Sequence, residues 1–462
     1  MATTENIEPR TASVVRRSSG NYLKLAVGIA TVLAALLADT GILMAIGLGL
    51  FGYSFVWFVD ATGREIAIAP VVSLIATAQW IVGPYFAYYQ DAVTLKYRMY
   101  VDEETYLLFV VPSLFLFVFF MRAISPVIEI SQVRNFILNT TVLNSRNIYY
   151  IFLIGVASQF LATDASPSLK FILFLTSQFT FIASIYMLVL KMQFRWICIS
   201  ISFILLFMLS IEYSVFHVLL LWSALIASYI CSDLRIGFLS KLSIFLLGIL
   251  LVVHLQAAKA EYRLRVLQDP ANANLSTLVD TMIENSFLQN SEFDYQQSES
   301  ARLNARLNQG WIISAVMAYV PNAREFEEGS TIVDAVADSL LPRFLHDKKS
   351  VSVSENFERY TGLRVSDNTS FGISVIGESW VNFGYYGIVF MGFFGAFYAS
   401  ILRTAVTISR KFPTAIFWIP LIFLQATKAE TETVVVLNHI VKSGALVAMF
   451  YFFAYKVLKW RI

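Results

Sequence analysis

Long apolar runs separated by short polar stretches dominate the chain. They lie near residues 24–38, 40–59, 66–89, 105–121, 148–163, 168–190, 196–210, 213–231, 242–258, 380–402, 413–427 and 434–457. A helix needs roughly 20 apolar residues to cross about 30 Å of hydrocarbon, so the pattern predicts an all-α polytopic membrane protein with about twelve transmembrane helices. The first run is short and pairs naturally with the second as a hairpin. Arg10, Arg16 and Arg17 precede it, and it ends in Ala-Leu-Leu-Ala at residues 35–38, as a signal peptide would. Because a second apolar run follows at once, it reads as an uncleaved first span.

Cytoplasmic loops are enriched in Lys and Arg, which orients the spans. Alternate loops hold Arg64; Arg122, Arg134 and Arg146; Lys191 and Arg195; Arg235 and Lys241; Arg403, Arg410 and Lys411; and Lys456, Lys459 and Arg461. The intervening loops are short and uncharged or mixed. Both termini are therefore expected in the cytoplasm. The organisation that follows is a basic tail at 1–23, nine spans over 24–258, a large outer loop at 259–370, and three spans with the C-terminus over 371–462.

That outer loop breaks the rhythm. It contains 16 acidic and 11 basic side chains, so it is solvated, yet it keeps helical patches such as Leu303 to Val320. A small, mostly helical extracytoplasmic subdomain is expected, and a loop of this length is usually functional.

Composition sharpens the class. Hydrophobic residues make up 57% and charged residues 14% of 462, against about 25% charged in soluble domains. A net charge of +2 leaves no electrostatic footprint for nucleic acid. Cys198 and Cys231 lie in or beside apolar runs, so neither a disulfide framework nor a cysteine metal site is expected. No matching halves mark an inverted-repeat transporter.

Candidate chemistry gathers at the end of the outer loop. Arg302 and Arg306 are four apart and precede Gly310-Trp311 and Tyr319-Val320-Pro321. Further on come Pro342-Arg343, Lys348-Lys349, Arg359-Tyr360-Thr361-Gly362, and Gly377-Glu378-Ser379-Trp380-Val381-Asn382-Phe383-Gly384 leading into a span. In this order the elements resemble the bacterial oligosaccharide repeat-unit polymerases of the Wzy type, over roughly residues 300–400. The resemblance implies a GT-C-like membrane glycosyltransferase in the bacterial inner membrane, without a cofactor or metal. It would move a growing glycan from undecaprenyl diphosphate onto the next lipid-linked repeat unit, beside a flippase and a chain-length regulator. An O-antigen ligase-like transferase and a lipid-linked oligosaccharide flippase are the competing readings.

The chemistry itself requires cations for a diphosphate leaving group and a base for the attacking hydroxyl. Arg302 and Arg306 share one helical face and offer bidentate guanidinium contacts. Arg343 follows a proline at the end of the apolar stretch Ile332 to Leu341, which places a cation near the interface. Lys348, Lys349 and Arg359 are further candidates for substrate contact. Counting about 20 residues back from Arg403 leaves Glu378 and Asn382 at the outer edge of the tenth span. His439 and Lys442 enter the last span from the same side, after a loop with Lys428, Glu430 and Glu432. Glu378 and His439 are thus the candidate bases, and Asn382 and Lys442 are candidate substrate contacts beside them.

Overall fold

The computed structural model describes residues 21–89, 97–140, 144–162, 165–212, 217–234, 236–248, 262, 265–266, 268–272, 274–287, 307–340, 353–364 and 371–460. Among them there is no strand, and the chain is an all-helical bundle. Before the long loop the described residues form α1 (Asn21–Leu37), α2 (Ile42–Ala61), α3 (Ile68–Tyr89), α4 (Glu103–Ile124), α5 (Ile130–Thr140), α6 (Ser145–Leu161), α7 (Pro167–Ser177), α8 (Phe179–Val189), α9 (Arg195–Glu212) and α10 (His217–Leu234). The apolar α11 (Phe238–Gly248) leads into it.

Among the described residues, six helical stretches are long and apolar enough to cross a membrane: Ile42–Ala61, Ile68–Tyr89, Glu103–Ile124, Leu169–Val189, Ser374–Ser409 and Thr433–Val457. Each coincides with a run read from the sequence. Phe115, Phe119, Phe160, Phe393 and Phe452 are exposed on the outside of the bundle. Solvated surfaces of soluble proteins rarely carry such bands, whereas a membrane protein turns them to lipid.

Local chemistry sets the helix limits. Asp102 caps α4 by accepting from the Thr105 backbone N–H at 2.9 Å, Glu103 and Glu104 occupy its first turn, and Arg122 its last. Acids at the start and a base at the end oppose the helix dipole. Close packing relies on small residues. A Cβ on Gly395 of α17 (Gly387–Ser409) would stand 2.6 Å from the Phe117 carbonyl oxygen, so glycine lets α17 lie directly on α4. The expected hairpin forms where Gly28 of α1 meets the backbone of Gly49 on α2.

Among the described residues of 259–370, the helices after residue 306 do not stand apart as a separate layer. The described helices of the loop are α12 (Leu275–Phe287), α13 (Gly310–Tyr319), α14 (Ser330–Leu340) and α15 (Val353–Thr361). Trp311, Phe357 and Tyr360 from these helices belong to the same buried core as the apolar spans. Within the patch expected over Leu303 to Val320, the described residues form a helix over Gly310–Tyr319, and residues 303–306 lie outside them. The backbone amide of Trp311 donates to Asn308 Oδ1, a side-chain cap that fixes this start.

Two expected spans look different in detail. The run at 413–427 forms only α18 (Pro413–Ile422) and then continues as turns to Glu432. Pro413 stands at the first position, where an amide would be free anyway, but Pro420 has no amide to donate back to Ile416, which interrupts the α-helical ladder of the segment. Its bulk, including Phe417, Trp418, Ile419, Leu421 and Phe423, is nevertheless wholly buried. The tenth span is split by a turn at Gly384–Tyr386 into α16 (Ser374–Phe383) and α17. Gly384 has φ +54°, and a Cβ there would meet the Phe326 ring at 2.9 Å.

Contacts between helix ends sort the loops. Ile66 pairs with Ile128, Gly63 with Ser228, Arg122 with Asn21, and Tyr150 stacks on Trp460. These gather the basic loops at one end of the bundle. At the other, Gly41 meets Tyr89, Phe109 meets Trp380, and Glu378 meets the start of α19 (Thr433–Phe452).

Candidate functional site

The site is built where three helix starts converge. Glu378, on the second turn of α16, is buried. Its Oε2 accepts from the Thr433 backbone N–H at 2.9 Å, and its Oε1 accepts from the Thr331 hydroxyl at 3.1 Å. Its Oε2 thereby serves the first turn of α19, whose amides lack partners within their own helix, and its Oε1 holds a side chain of the first turn of α14. Glu432, the residue before α19, returns the favour. Its Oε1 accepts from the Ile373 N–H at 3.2 Å, at the head of α16, and its Oε2 accepts from the Asn356 amide at 3.1 Å.

Each carboxylate therefore ties down the helix that carries the other. Glu432 is 2% exposed, and burial together with the nearby Glu378 carboxylate pushes its carboxyl up to about 7. Two acids in one dry pocket resist being charged together, so such a pair titrates as a unit. A carboxyl poised near neutrality is suited to taking a proton from a hydroxyl.

Asn382 sits one turn below Glu378 and is hydrogen-bonded within the protein. Its Oδ1 accepts from the Gly329 N–H at 3.0 Å, while its amide donates to the Thr331 hydroxyl and to the Glu378 carbonyl. It positions the start of α14, with both amide hydrogens used and one acceptor position left on Oδ1. One residue before Thr331, the Ser330 hydroxyl donates to Glu327 Oε2 at 3.0 Å. Glu327 also accepts from Arg324, Arg359 and the Tyr360 hydroxyl. Burial would raise the Glu327 carboxyl, but the hydrogen bonds from Arg324, Ser330 and Tyr360 and the charge of Arg359 hold it below its ordinary value. Both guanidinium groups also lie over the Tyr360 ring. Two arginines thus share the Glu327 carboxylate.

The remaining candidates fall elsewhere. His439, buried on α19, is 2.8 Å from the Leu421 carbonyl oxygen through Nε2. Leu421 lies in the last turn of α18, where carbonyls lose their helical partners, so the ring occupies one of those positions. Lys442 lies nine residues beyond Thr433, about 14 Å along the helix, exposed and over the Phe171 ring. The structure does not bring it to Glu378. Arg302, Arg306, Arg343, Lys348 and Lys349 lie outside the described residues.

Sequence reasoning missed Arg324 and Asn356, and it did not see that Glu432 partners Glu378. A usable signal existed for the first, since Arg324 stands i, i+3 to Glu327. No local signal links residues 373 and 432. Among the described residues no group of three or more His, Cys, Asp or Glu is placed to hold a metal ion. Comparison of the chain with protein-family models, with curated proteins and with solved structures finds no match.

Proposed function

We propose that the chain is a membrane-embedded glycosyltransferase of the Wzy polymerase kind, which joins lipid-diphosphate-linked oligosaccharide repeat units on the outer face of a bacterial inner membrane. The observation that carries this reading is the buried Glu378 and Glu432 pair, set beneath a large polar loop and flanked by Arg324 and Arg359. The gathering of basic loops at the opposite end of the bundle supports an inside location for that end and for both termini. The reading includes about twelve spans and a GT-C-like arrangement, of which six are helices long and apolar enough to cross a membrane among the described residues.

In this reading the acceptor sugar hydroxyl attacks the anomeric carbon of the donor glycan. Its proton passes to the carboxylate pair, the bond from the anomeric carbon to the diphosphate oxygen breaks, and the lipid diphosphate leaves with both bonding electrons. Attack from the face opposite the leaving group inverts the anomeric centre. Arg306 and Arg343 from the loop, together with Arg324 and Arg359, supply the cations that stabilise the departing diphosphate. His439 supports the backbone of α18 and is no longer needed as a base.

The test uses the full chain in lipid nanodiscs with a lipid-linked repeat unit and reads the ladder of products. Glu378→Gln and Glu432→Gln keep the shape but cannot accept a proton, and each should slow elongation roughly a hundredfold or more. A double variant that still builds a normal ladder would overturn the assignment. A single transfer to an acceptor without a diphosphate would instead identify a ligase, and movement of the lipid without a new glycosidic bond would identify a flippase.

A further inference from the structure

Helix α14 of the loop begins between the heads of two membrane spans. A Cβ on Gly329 would stand 3.4 Å from the ring of Phe383, just before the turn from which α17 starts. Thr331, in the first turn of α14, shares the Glu378 carboxylate with Thr433, the first residue of α19. That carboxylate therefore sets the starts of α14 and α19 side by side. From there α14 packs along α19. Two helices that start together and stay packed run in the same direction, so α14 follows a span inward from the end of the bundle that holds Glu378. Its 11 residues measure about 16 Å, roughly half the thickness of the hydrocarbon. The chain is back beside the heads of the spans in α15, where Asn356 donates to Glu432 and Tyr360 to Glu327.

The residues of α14 suit such a course. Val333, Val336 and Leu340 are spaced i, i+3 and i+7, so they form one stripe, and they are 68%, 43% and 65% exposed. Ala335 and Ser339 are buried, and small side chains four apart let a neighbouring helix approach closely. Asp334 and Asp338 stand three and seven residues beyond Thr331, so these three share a further face, the one that Thr331 turns to Glu378. Ionisable groups at membrane depth face the interior of a bundle, and both aspartates lie away from the apolar stripe. In water a stripe of three exposed aliphatic side chains is unfavourable; in hydrocarbon it is the favoured outer face.

We infer that α14 is a re-entrant helix, which enters the bilayer from the Glu378 end with Val333, Val336 and Leu340 against lipid acyl chains. Acyl chains are the occupant because the stripe is uncharged and accompanies α19, whose Met449 and Phe452 are exposed in the same way. The inference goes beyond the transferase reading and needs only a bilayer around the spans, so it holds whichever reaction the acids perform.

Nitroxide labels test this course. Val333→Cys, Val336→Cys and Leu340→Cys are introduced one at a time into the full chain carrying Cys198→Ala and Cys231→Ala, then labelled and placed in lipid nanodiscs. Power saturation compares collisions with oxygen, which enters hydrocarbon, and with a water-soluble nickel chelate. All three labels should favour oxygen, as a label at Phe393→Cys on α17 does, whereas Asn322→Cys in an exposed turn should favour nickel. Immersion should deepen in the order 333, 336, 340, with the last label about 10 Å deeper than the first. Equal depth at the three positions would mark a helix lying on the membrane surface. A preference for nickel would mark a helix in water, and few collisions with either reagent would mark a face covered by protein. Each of these results would overturn the inference. The three positions are exposed, so a cysteine there removes no buried contact, and circular dichroism equal to the parent's checks the fold of each labelled chain.

Discussion

The two ends of the bundle treat buried charge in opposite ways. At the end that gathers the basic loops, Lys24 is 1% exposed and meets Asp60 at 3.0 Å, Arg64 grips both oxygens of the same carboxylate, and Arg122 lies over the Trp57 ring. Here the buried lysine has a carboxylate of opposite charge beside it. At the other end Glu378 and Glu432 are held by neutral donors, and Lys428 stands apart from both. Paired charges hold helices together and leave nothing free to react. Charges satisfied only by amides and hydroxyls keep their capacity to bind or exchange a proton, at a cost in stability that the fold carries elsewhere.

The comparison breaks most visibly at Asp60. Asp60→Asn leaves the buried ammonium of Lys24 without its carboxylate and should destabilise the protein by about 3–5 kcal/mol. The loss should appear as a large fall in the thermal midpoint in detergent, with transfer per folded molecule within about twofold of the parent. A variant that folds normally but fails to polymerise would erase the distinction between the two ends.

Acidity sharpens it next. The Glu432 carboxyl stands above its ordinary 4.5 in the folded chain. Its proton is therefore bound more tightly in the folded state, and the associated stability is complete below about 4.5 and lost as pH rises through about 7. Glu432→Gln should flatten that part of the stability curve by up to about 3 kcal/mol, while abolishing the rise of transfer rate over the same range. The site would then be most reactive where it is least stable. A stability curve of unchanged slope in Glu432→Gln would assign the titration to another group.

The smallest effect belongs to Arg359. It is half-exposed, shares Glu327 with Arg324, and its removal should change stability by no more than about 1 kcal/mol. In the proposed reaction it should still slow transfer several-fold, with Lys as a poor substitute because it lacks the planar fork. Equal rates for Arg359→Ala and the parent chain would confine diphosphate binding to the remaining cations.

What the sequence made legible follows from the range of the forces involved. Spans such as Ile42–Ala61 and Glu103–Ile124 are set by hydrophobicity along one continuous stretch, so a run of apolar letters locates them within a few residues. Glu378 was accessible by the same arithmetic, counted back from Arg403. Its partnership with Glu432 was not, because it joins residues 55 and 59 positions apart through backbone amides that any side chain could have carried. The run at 413–427 misled for a related reason. Hydropathy reports burial, and the segment is buried, but Pro420 interrupts its ladder of amides and residues 423–432 run as turns and extended chain. His439 and Lys442 had been grouped with Glu378 only because they enter from the same side. Helix α19 separates them from it by its rise and turns Lys442 outward.

The break at Gly384 has a mechanical consequence. A straight helix from Ser374 to Ser409 would be a rod of 36 residues, about 54 Å long, nearly twice the thickness of a bilayer's oily interior. The 23 residues of α17 alone measure about 35 Å and fit that interior with a tilt of roughly 30°. In an unbroken rod the same tilt would swing the end bearing Glu378 sideways by several ångströms whenever the surrounding membrane thickened or thinned. With a joint at Gly384, α17 can lean to suit its lipid while α16 stays clasped to the starts of α14 and α19. The glycine uncouples the geometry of the acids from the thickness of the membrane beneath them.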